Sequence, residues 1–360
     1  PASPLSAIKR ILRKRVNDTG GLSIAQYMEV CLFEPEHGYY LTQHIFGTKG
    51  DFVTSPEISQ MFGEIIGLWL AQCWIEQDRP KPFTLLELGP GRGTLMRDIF
   101  RATAKVAGFH EGMQIVLVET SEQLRSLQKQ TLHNAKVSWI DNVTQLPEQP
   151  VFFVANEFFD ALPVHQFKRQ NDKWFERQVI FQENDLCIET CTHASDLDQL
   201  QNRLVDTSDG DIVEINLVGE KMAFALGQHI ETFAGSGLII DYGDWVSLGD
   251  TLQAVQDQKH VDIFAAPGQS DLTTHVDFAA LVTDLACQHS RLVPQGLFLE
   301  RLGITQRANT LAEYLTDEAL QMHITAHRRL THPDEMGNLF KVIAFYPTSA
   351  STPAGFDYDP

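Results

Sequence analysis

Three glycines at every second position follow a short apolar run in the segment "LLELGPGRGTLMRDIF", which extends from Leu85 to Phe100. The apolar run predicts a buried strand, and the residues after Gly93 have the spacing of an amphipathic helix. Glycine is favoured where a turn is tight or where a ligand must approach the backbone closely. In an open parallel sheet, ligands bind beyond the carboxyl ends of the strands, so this segment predicts an α/β fold with a cofactor site at the turn.

The alternation of strands and helices continues beyond this segment. Apolar strands are predicted at "FTLLEL", "MQIVLVET", "VSWID" and "VFFVANEF", with helices after Gly93 and Ser121. This order is typical of a parallel sheet. We predict a helical extension over 1–82 that contributes to the active site, an α/β core over 83–347 with insertions around 168–230 and 244–278, and a flexible tail over 348–360.

Charge and cysteine content restrict the function and the compartment. The chain has 28 Lys and Arg against 47 Asp and Glu, a formal charge of −19, which disfavours nucleic acid as a partner. No apolar run reaches the ~18 residues of a membrane span. Five scattered cysteines indicate a reducing compartment. We expect the cytoplasm, or the mitochondrial matrix if the chain is a processed organellar protein.

A basic segment near the start of the chain has apolar residues at helical spacing. Lys9, Arg13 and Arg15 alternate there with Ile8 and Leu12. A targeting or membrane-surface helix has this pattern, but a docked helix with a solvated basic face is favoured.

Two cofactors use a glycine-rich turn of this kind, the dinucleotides and S-adenosylmethionine. Here the spacing is Glu87-x-Gly89-x-Gly91-x-Gly93, and Thr94 stands where the dinucleotide pattern requires its last glycine. An acid beside the turn also suits a cationic amino-acid ligand better than a pyrophosphate. S-adenosylmethionine is therefore favoured, and a nicotinamide-dependent oxidoreductase is the less favoured alternative.

Polar residues at the ends of the next strands support this interpretation. Glu119 follows the second strand, where a carboxylate can accept hydrogen bonds from both ribose hydroxyls of an adenosine. Asp141 and Asn142 follow the third strand and are assigned to the adenine amino group. The other residues assigned to the cofactor are Thr120, Asn156 and Thr54.

The fourth strand ends beside Glu157, where a methyl acceptor would lie. A carboxylate there could accept the proton of a nitrogen nucleophile. The candidate catalytic residues are Glu157 as first choice, with Asp160, Asp51 and Glu57 as helpers. The candidate acceptor-binding residues are Asp241, Tyr242 and His275. Helix capping and strand termination are the ordinary alternatives for several of these residues.

No metal site is predicted. His323 and His327 are four residues apart, but no glutamate follows His323 and two arginines follow His327. A solvated helix is the favoured interpretation of this pair.

Several longer segments carry a resemblance to a known family. They are "GDFVTSPEISQMFGE", "LLELGPGRGTLMRDI", "VETS", "ANEFFDALPVHQF", "LIIDYG", "DLTTHVDFAAL" and "MGNLFKV". Together they resemble the MidA-type family of S-adenosylmethionine-dependent methyltransferases, from about Tyr27 to Phe345. The resemblance implies a class I methyltransferase fold, a mostly parallel seven-stranded sheet whose last strand is antiparallel, with "FLERLGI" and "GNLFKVIAF" closing the core.

The resemblance also implies an activity. Mitochondrial members of the family are known as arginine methyltransferases that act as assembly factors for respiratory complex I. The implied partner is a protein substrate with an exposed arginine, such as a subunit of a respiratory complex. A second function stays open, that of a cofactor-binding assembly factor with little turnover. The identity of the methyl acceptor and the formation of a homodimer also stay open.

Overall fold

A computed structural model describes residues 4–42 and 54–356 of the chain. In chain order, helices α1 to α14 are Pro4–Thr19, Ile24–Phe33, Tyr39–Thr42, Ser55–Ile58, Gln60–Glu76, Thr94–Thr103, Phe109–Gly112, Glu122–Thr131, Asp198–Asn202, Leu217–Phe233, Phe278–Val282, Gln295–Arg301, Ile304–Ala312 and Asp317–Thr331. Strands β1 to β17 are Leu22–Ser23, Phe83–Leu88, Met113–Val118, Val137–Ile140, Val151–Asn156, His165–Gln170, Lys173–Gln182, Asp185–Ser195, Ile212–Ile215, Gly235–Asp244, Gln253–Gln256, Lys259–Val261, Asp271–Thr273, Val276–Asp277, Gln288–His289, Val293–Pro294 and Phe340–Tyr346.

The described residues form two compact units. The first unit contains residues 4–42, 160–221 and 246–280, and the second contains 54–159, 222–245 and 281–356. Each has its own buried apolar cluster.

The second unit is built on a mostly parallel sheet with the strand order β15-β17-β10-β5-β2-β3-β4. Strands β10, β5, β2, β3 and β4 are parallel to one another, and β17 is antiparallel to β10. Every residue of β2 and β5 is buried, because helices cover both faces of such a sheet. The predicted sheet with its antiparallel last strand is confirmed.

One expected closing segment of this sheet has a different structure. "FLERLGI" does not form a strand, since Phe298 and Leu299 lie in α12 and are fully buried there. The short strands β15 and β16 pair with β17 instead. Phe298, Leu299 and Leu302 lie one, three and four positions apart, a spacing that suits a helix face.

Two helices directly precede β2. Helix α4 ends at Ile58 and α5 begins at Gln60. Between them Ser59 is extended, with φ −158° and ψ 137°. Its hydroxyl accepts a hydrogen bond from the backbone N–H of Met61 at 3.2 Å. A serine that caps a new helix in this way interrupts the preceding one.

Helix α5 packs closely on α6, which begins at the glycine turn. A Cβ atom on Gly63 would lie 2.7 Å from Cβ of Asp98, and one on Gly67 would lie 2.9 Å from Cα of Ile99. These two glycines therefore allow the helix axes to approach, and the contact fixes the helix that follows the turn.

The first unit contains two antiparallel sheets, one with the order β1-β7-β6-β9 and β8 beside β7, the other with the order β12-β11-β13. Helix α1 buries Ile8, Leu12 and Val16 in the apolar cluster of this unit. Arg13 on the same helix lies over the ring of Phe181, 4.5 Å from its centroid. The basic segment is thus a docked helix, as expected.

No described helix combines the length and the apolar character needed to cross a membrane.

The described part of the tail is packed rather than loose. Trp69 Nε1 donates to the carbonyl of Ala354 at 2.9 Å, and Phe356 is 3% exposed. Burial of the Phe356 ring against Trp69 stabilises the described part of the tail.

Candidate active site

The glycine turn connects β2 to α6. Gly89, Gly91 and Gly93 have φ values of 61°, 51° and 81°, the left-handed region that favours glycine. A Cβ atom on Gly89 would also lie 2.5 Å from Cδ2 of Phe158. The ring of Phe158 therefore lies directly against the turn, and the turn requires glycine both for its conformation and for space.

Two buried oxygen atoms near this turn have no hydrogen-bond partner among the described residues. They are Oε2 of Glu87 on β2 and Oδ1 of Asn156 on the neighbouring strand β5. Burial raises the pKa of Glu87 to about 8. Buried acceptors without a donor are costly, and the ammonium group of an amino-acid ligand would supply donors here. The residues present therefore fit S-adenosylmethionine.

Glu119 follows β3, and its carboxylate is held from two sides. Oε1 accepts from the backbone N–H of Ser121 at 2.8 Å, and Oε2 accepts from Nε2 of Gln128 at 3.2 Å. Burial raises the pKa of Glu119. This arrangement leaves an oriented carboxylate at the strand end where a ribose was expected, and Thr120 beside it is exposed.

Glu157 follows β5 and has a backbone conformation that is rare for its residue type. Its φ is 51°, in the left-handed region, which costs free energy for a residue with a Cβ atom. Its Oε1 accepts from the backbone N–H of Ser55 at 2.8 Å and from Nδ2 of Asn156 at 3.2 Å. Burial raises the pKa of Glu157, so its carboxylate binds a proton more tightly than a solvated one.

A family model described as an S-adenosyl-L-methionine-dependent methyltransferase matches residues 65–297 of the chain, including the glycine turn and Glu157. The chain belongs to this methyltransferase family. Its cofactor is S-adenosylmethionine, and the dinucleotide alternative is wrong. Thr94 in place of a final glycine had already favoured this outcome.

Two curated relatives of this methyltransferase cover almost its whole length. It is 33% identical to the mitochondrial "Protein arginine methyltransferase NDUFAF7 homolog" of Drosophila melanogaster, over 95% of the chain and 85% of that protein. It is 32% identical to mitochondrial "Protein arginine methyltransferase NDUFAF7" of Homo sapiens, over 96% of the chain and 84% of that protein. Since both relatives are mitochondrial, the comparison does not support the cytoplasm that was expected first.

A solved structure has the same fold. The protein is from Burkholderia thailandensis and was crystallised with S-adenosylhomocysteine bound. It superimposes on this methyltransferase with a TM-score of 0.82 at 26% identity, over 99% of this chain and 95% of that one. That complex holds the product form of the cofactor, in agreement with the cofactor assigned here.

Gln128 is a residue of the methyltransferase site that the sequence interpretation missed. It is fully buried on α8, where Nε2 donates to the carbonyl of Gly91 at 2.8 Å as well as to Glu119. Its Oε1 accepts from Nε1 of Trp139 at 2.7 Å. One amide thus connects the glycine turn to the acid after β3. The available signal was its place on the apolar face of α8, four residues after Leu124.

The two residues expected to bind adenine have local partners. Oδ1 of Asp141 lies 2.6 Å from Nη2 of Arg125, which pairs it with a cation on α8. The side chain of Asn142 accepts from the backbone N–H of Thr144 at 3.0 Å and caps a short turn. Both residues are exposed. Their contact with adenine stays a prediction.

The segment before α5 contained three further predicted residues. Oε1 of Glu57 accepts from the hydroxyl of Thr94 at 2.6 Å, so the structure joins Glu57 to the start of α6. Thr54 caps α4 through its carbonyl, which accepts from the backbone N–H of Glu57 at 2.9 Å. Asp51 lies outside the described residues.

Asp241 and Tyr242 were expected to bind the acceptor, but their side chains have partners inside the protein. The carboxylate of Asp241 is fully buried and accepts the backbone N–H of Phe159 at 2.9 Å. Tyr242 packs against Phe340, with ring centroids 5.6 Å apart. Their contact with the acceptor stays a prediction.

Asp160 and His275 belong to the first unit. Asp160 is 5% exposed, and its carbonyl accepts from the backbone N–H of Thr274 at 2.9 Å. His275 is exposed, and its backbone N–H donates to the hydroxyl of Thr251 at 2.9 Å. Their roles in catalysis and acceptor binding stay predictions.

The described residues contain no group of His, Cys, Asp and Glu that could hold a metal ion. Nε2 of His323 lies 2.9 Å from the carbonyl of Ala308, and Nε2 of His327 lies 3.0 Å from the hydroxyl of Thr305. Both histidines thus join α14 to α13 through hydrogen bonds.

Proposed function

We propose that this methyltransferase methylates an arginine side chain of a protein and that Glu157 is the base. The observation that carries the proposal is the position of Glu157, a partly buried carboxylate directly after β5, the strand next to β2 and its glycine turn. The names of the curated relatives support arginine as the acceptor.

Arginine methylation requires a base with this character. A guanidinium stays protonated in proteins and is a poor nucleophile while its charge is delocalised. A carboxylate hydrogen-bonded to it would localise the charge on one nitrogen and accept the proton that this nitrogen loses. S-adenosylmethionine, when bound, supplies an electrophilic methyl group on a sulfonium. As the new N–C bond forms and the S–C bond breaks, Glu157 takes the proton.

The surroundings of Glu157 suit this role. Two donors to its side chain, the N–H of Ser55 and the amide of Asn156, bind the same oxygen, Oε1. These bonds fix the orientation of the carboxyl group, and Oε2 is proposed to face the acceptor. The raised pKa of Glu157 makes it a stronger base than a solvated glutamate. We propose that Glu87, the three glycines and Glu119 hold the cofactor.

The relatives are mitochondrial, which supports the mitochondrial matrix as the compartment. With the family resemblance, this favours a subunit of a respiratory complex as the protein substrate. The charge of −19 is consistent with a cationic segment around the target arginine.

The test is methyl transfer from methyl-labelled S-adenosylmethionine into a lysate of cells that lack this protein, with the labelled residue identified by mass spectrometry. We expect label on arginine of a specific protein. Glu157→Gln should lower the transfer rate by about a hundredfold or more while cofactor affinity is kept. Glu148→Gln, the same change at an exposed position, is the matched control.

Label on another residue type would contradict arginine as the acceptor. Normal transfer by Glu157→Gln would contradict the assignment of the base. Tight binding of cofactor and of a partner protein, without label transfer, would instead favour the alternative of an assembly factor with little turnover.

A further inference from the structure

We propose that Asp241 is a positioning residue that holds Glu157 in its left-handed conformation. Asp241 lies near the end of β10, beside the turn that carries Glu157. Its Oδ2 accepts the backbone N–H groups of Phe158 at 3.2 Å and Phe159 at 2.9 Å. Its Oδ1 accepts the backbone N–H of its own neighbour Tyr242 at 3.0 Å. The inference rests on the proposed role of Glu157.

The register of the sheet brings these groups together. Strand β10 runs parallel to β5, with Ile240 paired to Asn156. The backbone N–H of Glu157 donates to the carbonyl of Ile240 at 2.9 Å. Asp241 is the next residue on β10, so its side chain meets the next two N–H groups of the turn. The strand and the carboxylate together bind three successive N–H groups, those of residues 157 to 159.

A charged acceptor explains how the turn tolerates Glu157. With a φ of 51°, Glu157 has a conformation that residues with a Cβ atom rarely adopt unless surrounding contacts enforce it. Hydrogen bonds to a carboxylate are about twice as strong as those between neutral groups. Asp241 is fully buried, so water does not weaken its bonds to the turn.

The same turn also places Phe158. Its ring lies where a side chain on Gly89 would be, and its N–H is one of the two held by Oδ2 of Asp241. A displaced turn would therefore move Glu157 first and would disturb the cofactor turn only through the ring of Phe158. We expect the rate of methyl transfer to depend on Asp241 more than cofactor binding does.

The experiment is a double-mutant cycle of Asp241→Asn and Glu157→Gln in the full chain, with kcat measured for the identified protein substrate and the Kd for S-adenosylmethionine measured by calorimetry. Asp241→Asn keeps the size of the side chain but removes its charge and one acceptor. We expect kcat to fall about ten- to hundredfold, the range for losing one hydrogen bond to a charged group. The Kd for S-adenosylmethionine should change by less than about threefold. In the Glu157→Gln background, adding Asp241→Asn should lower kcat little further.

Ser236→Ala is the matched control, because Ser236 is another buried polar residue of β10 with a hydrogen bond, from Nε2 of Gln77 at 2.8 Å. It should leave kcat near the wild-type value. A second measurement needs no variant. In the wild-type protein, the amide protons of Phe158 and Phe159 should exchange slowly with solvent in NMR, as expected for N–H groups bound to a buried carboxylate.

Unprotected amides at Phe158 and Phe159 would overturn the inference, even if Asp241→Asn fails to fold. A normal kcat for Asp241→Asn would also overturn the inference. So would an equal loss of rate from Asp241→Asn in the wild-type and Glu157→Gln backgrounds, because a general loss of stability would lower the rate equally in both. Normal transfer by Glu157→Gln alone would overturn the proposed base and this inference with it. Slow transfer by Glu157→Gln with additive effects would overturn only this inference.

Discussion

Two turns follow neighbouring parallel strands of the sheet, and both place residues in the left-handed region by different means. The turn after β2 uses Gly89, Gly91 and Gly93, which adopt positive φ without a steric cost. The turn after β5 places Glu157 there and has a buried carboxylate, Asp241, bound to the next two N–H groups.

The difference corresponds to the proposed tasks of the two turns. A cofactor that must approach the backbone needs a turn without side chains, so glycine provides both the conformation and the space. A base must carry a side chain, so the same conformation has to be enforced by surrounding contacts. The first turn can therefore be identified from the local sequence, and the second depends on a residue more than eighty positions later in the chain.

The largest expected effect is that of Gly89→Ala. The added Cβ would lie 2.5 Å from the ring of Phe158 in a backbone with φ 61°. Strain and overpacking together should weaken the binding of S-adenosylmethionine by about a thousandfold in calorimetry. Gly303→Ala is the control, because Gly303 has φ 86° but only a flexible side-chain atom of Gln306 within 4 Å. Near-normal binding by Gly89→Ala would show that the ring of Phe158 is not held against the turn.

The second prediction concerns the acid beside the glycine turn and its dependence on pH. Burial raises the pKa of Glu87 from 4.5 to about 8, so between these values the folded protein keeps a proton that the unfolded chain loses. Stability therefore falls as pH rises through this window. Relative to Glu87→Gln, the free energy of unfolding of the wild type should fall by about 1.4 kcal/mol per pH unit.

Chemical denaturation of both proteins at several pH values between 5 and 8 measures this difference, and a difference independent of pH would exclude a protonated Glu87. Glu148→Gln, the same substitution at an exposed position, serves as the control.

The third prediction tests the carboxylate after β3. Glu119→Ala should weaken the binding of S-adenosylmethionine by about 1.5–3 kcal/mol, the range for hydrogen bonds to a charged group. Once the lower affinity is offset by more cofactor, the maximal rate of methyl transfer should be close to normal. Glu122→Ala, an exposed acid on the next helix, should bind the cofactor normally. A loss of rate at saturating cofactor would instead connect Glu119 to the acceptor.

The smallest effect directly tests the contrast between the two turns. If Glu157 is left-handed, Glu157→Gly should be more stable than Glu157→Ala by about 0.5–1 kcal/mol, because only glycine adopts this φ without strain. Both variants should lose methyl transfer. On α8 the order should reverse, with Lys129→Gly less stable than Lys129→Ala by about 1 kcal/mol. Equal stability of the two variants at position 157 would contradict the left-handed conformation.

The core fold and part of the site could be predicted from local patterns. The predicted bounds of the four strands from "FTLLEL" to "VFFVANEF" agree with the structure to within two residues. For β2 and β5 the reason is that a strand covered on both faces is a continuous apolar run. "FLERLGI" was misplaced because a short apolar run does not distinguish a strand from a buried helix. The break at Ser59 has no comparable local pattern, because capping depends on which hydroxyl meets which N–H.

The sequence by itself determined the turn that requires glycine, the acids at successive strand ends and hence the cofactor class, since each of these features lies within a few residues of a strand. Only the tertiary structure decided which partners those acids have. It joined Gln128 to Glu119, Glu57 to Thr94 and Asp241 to the turn of Glu157. The first two pairs come from separate elements and the third from parallel strands far apart in the chain. Parallel strands are brought together by long crossovers, so their register and the hydrogen bonds across it leave no local trace in the sequence.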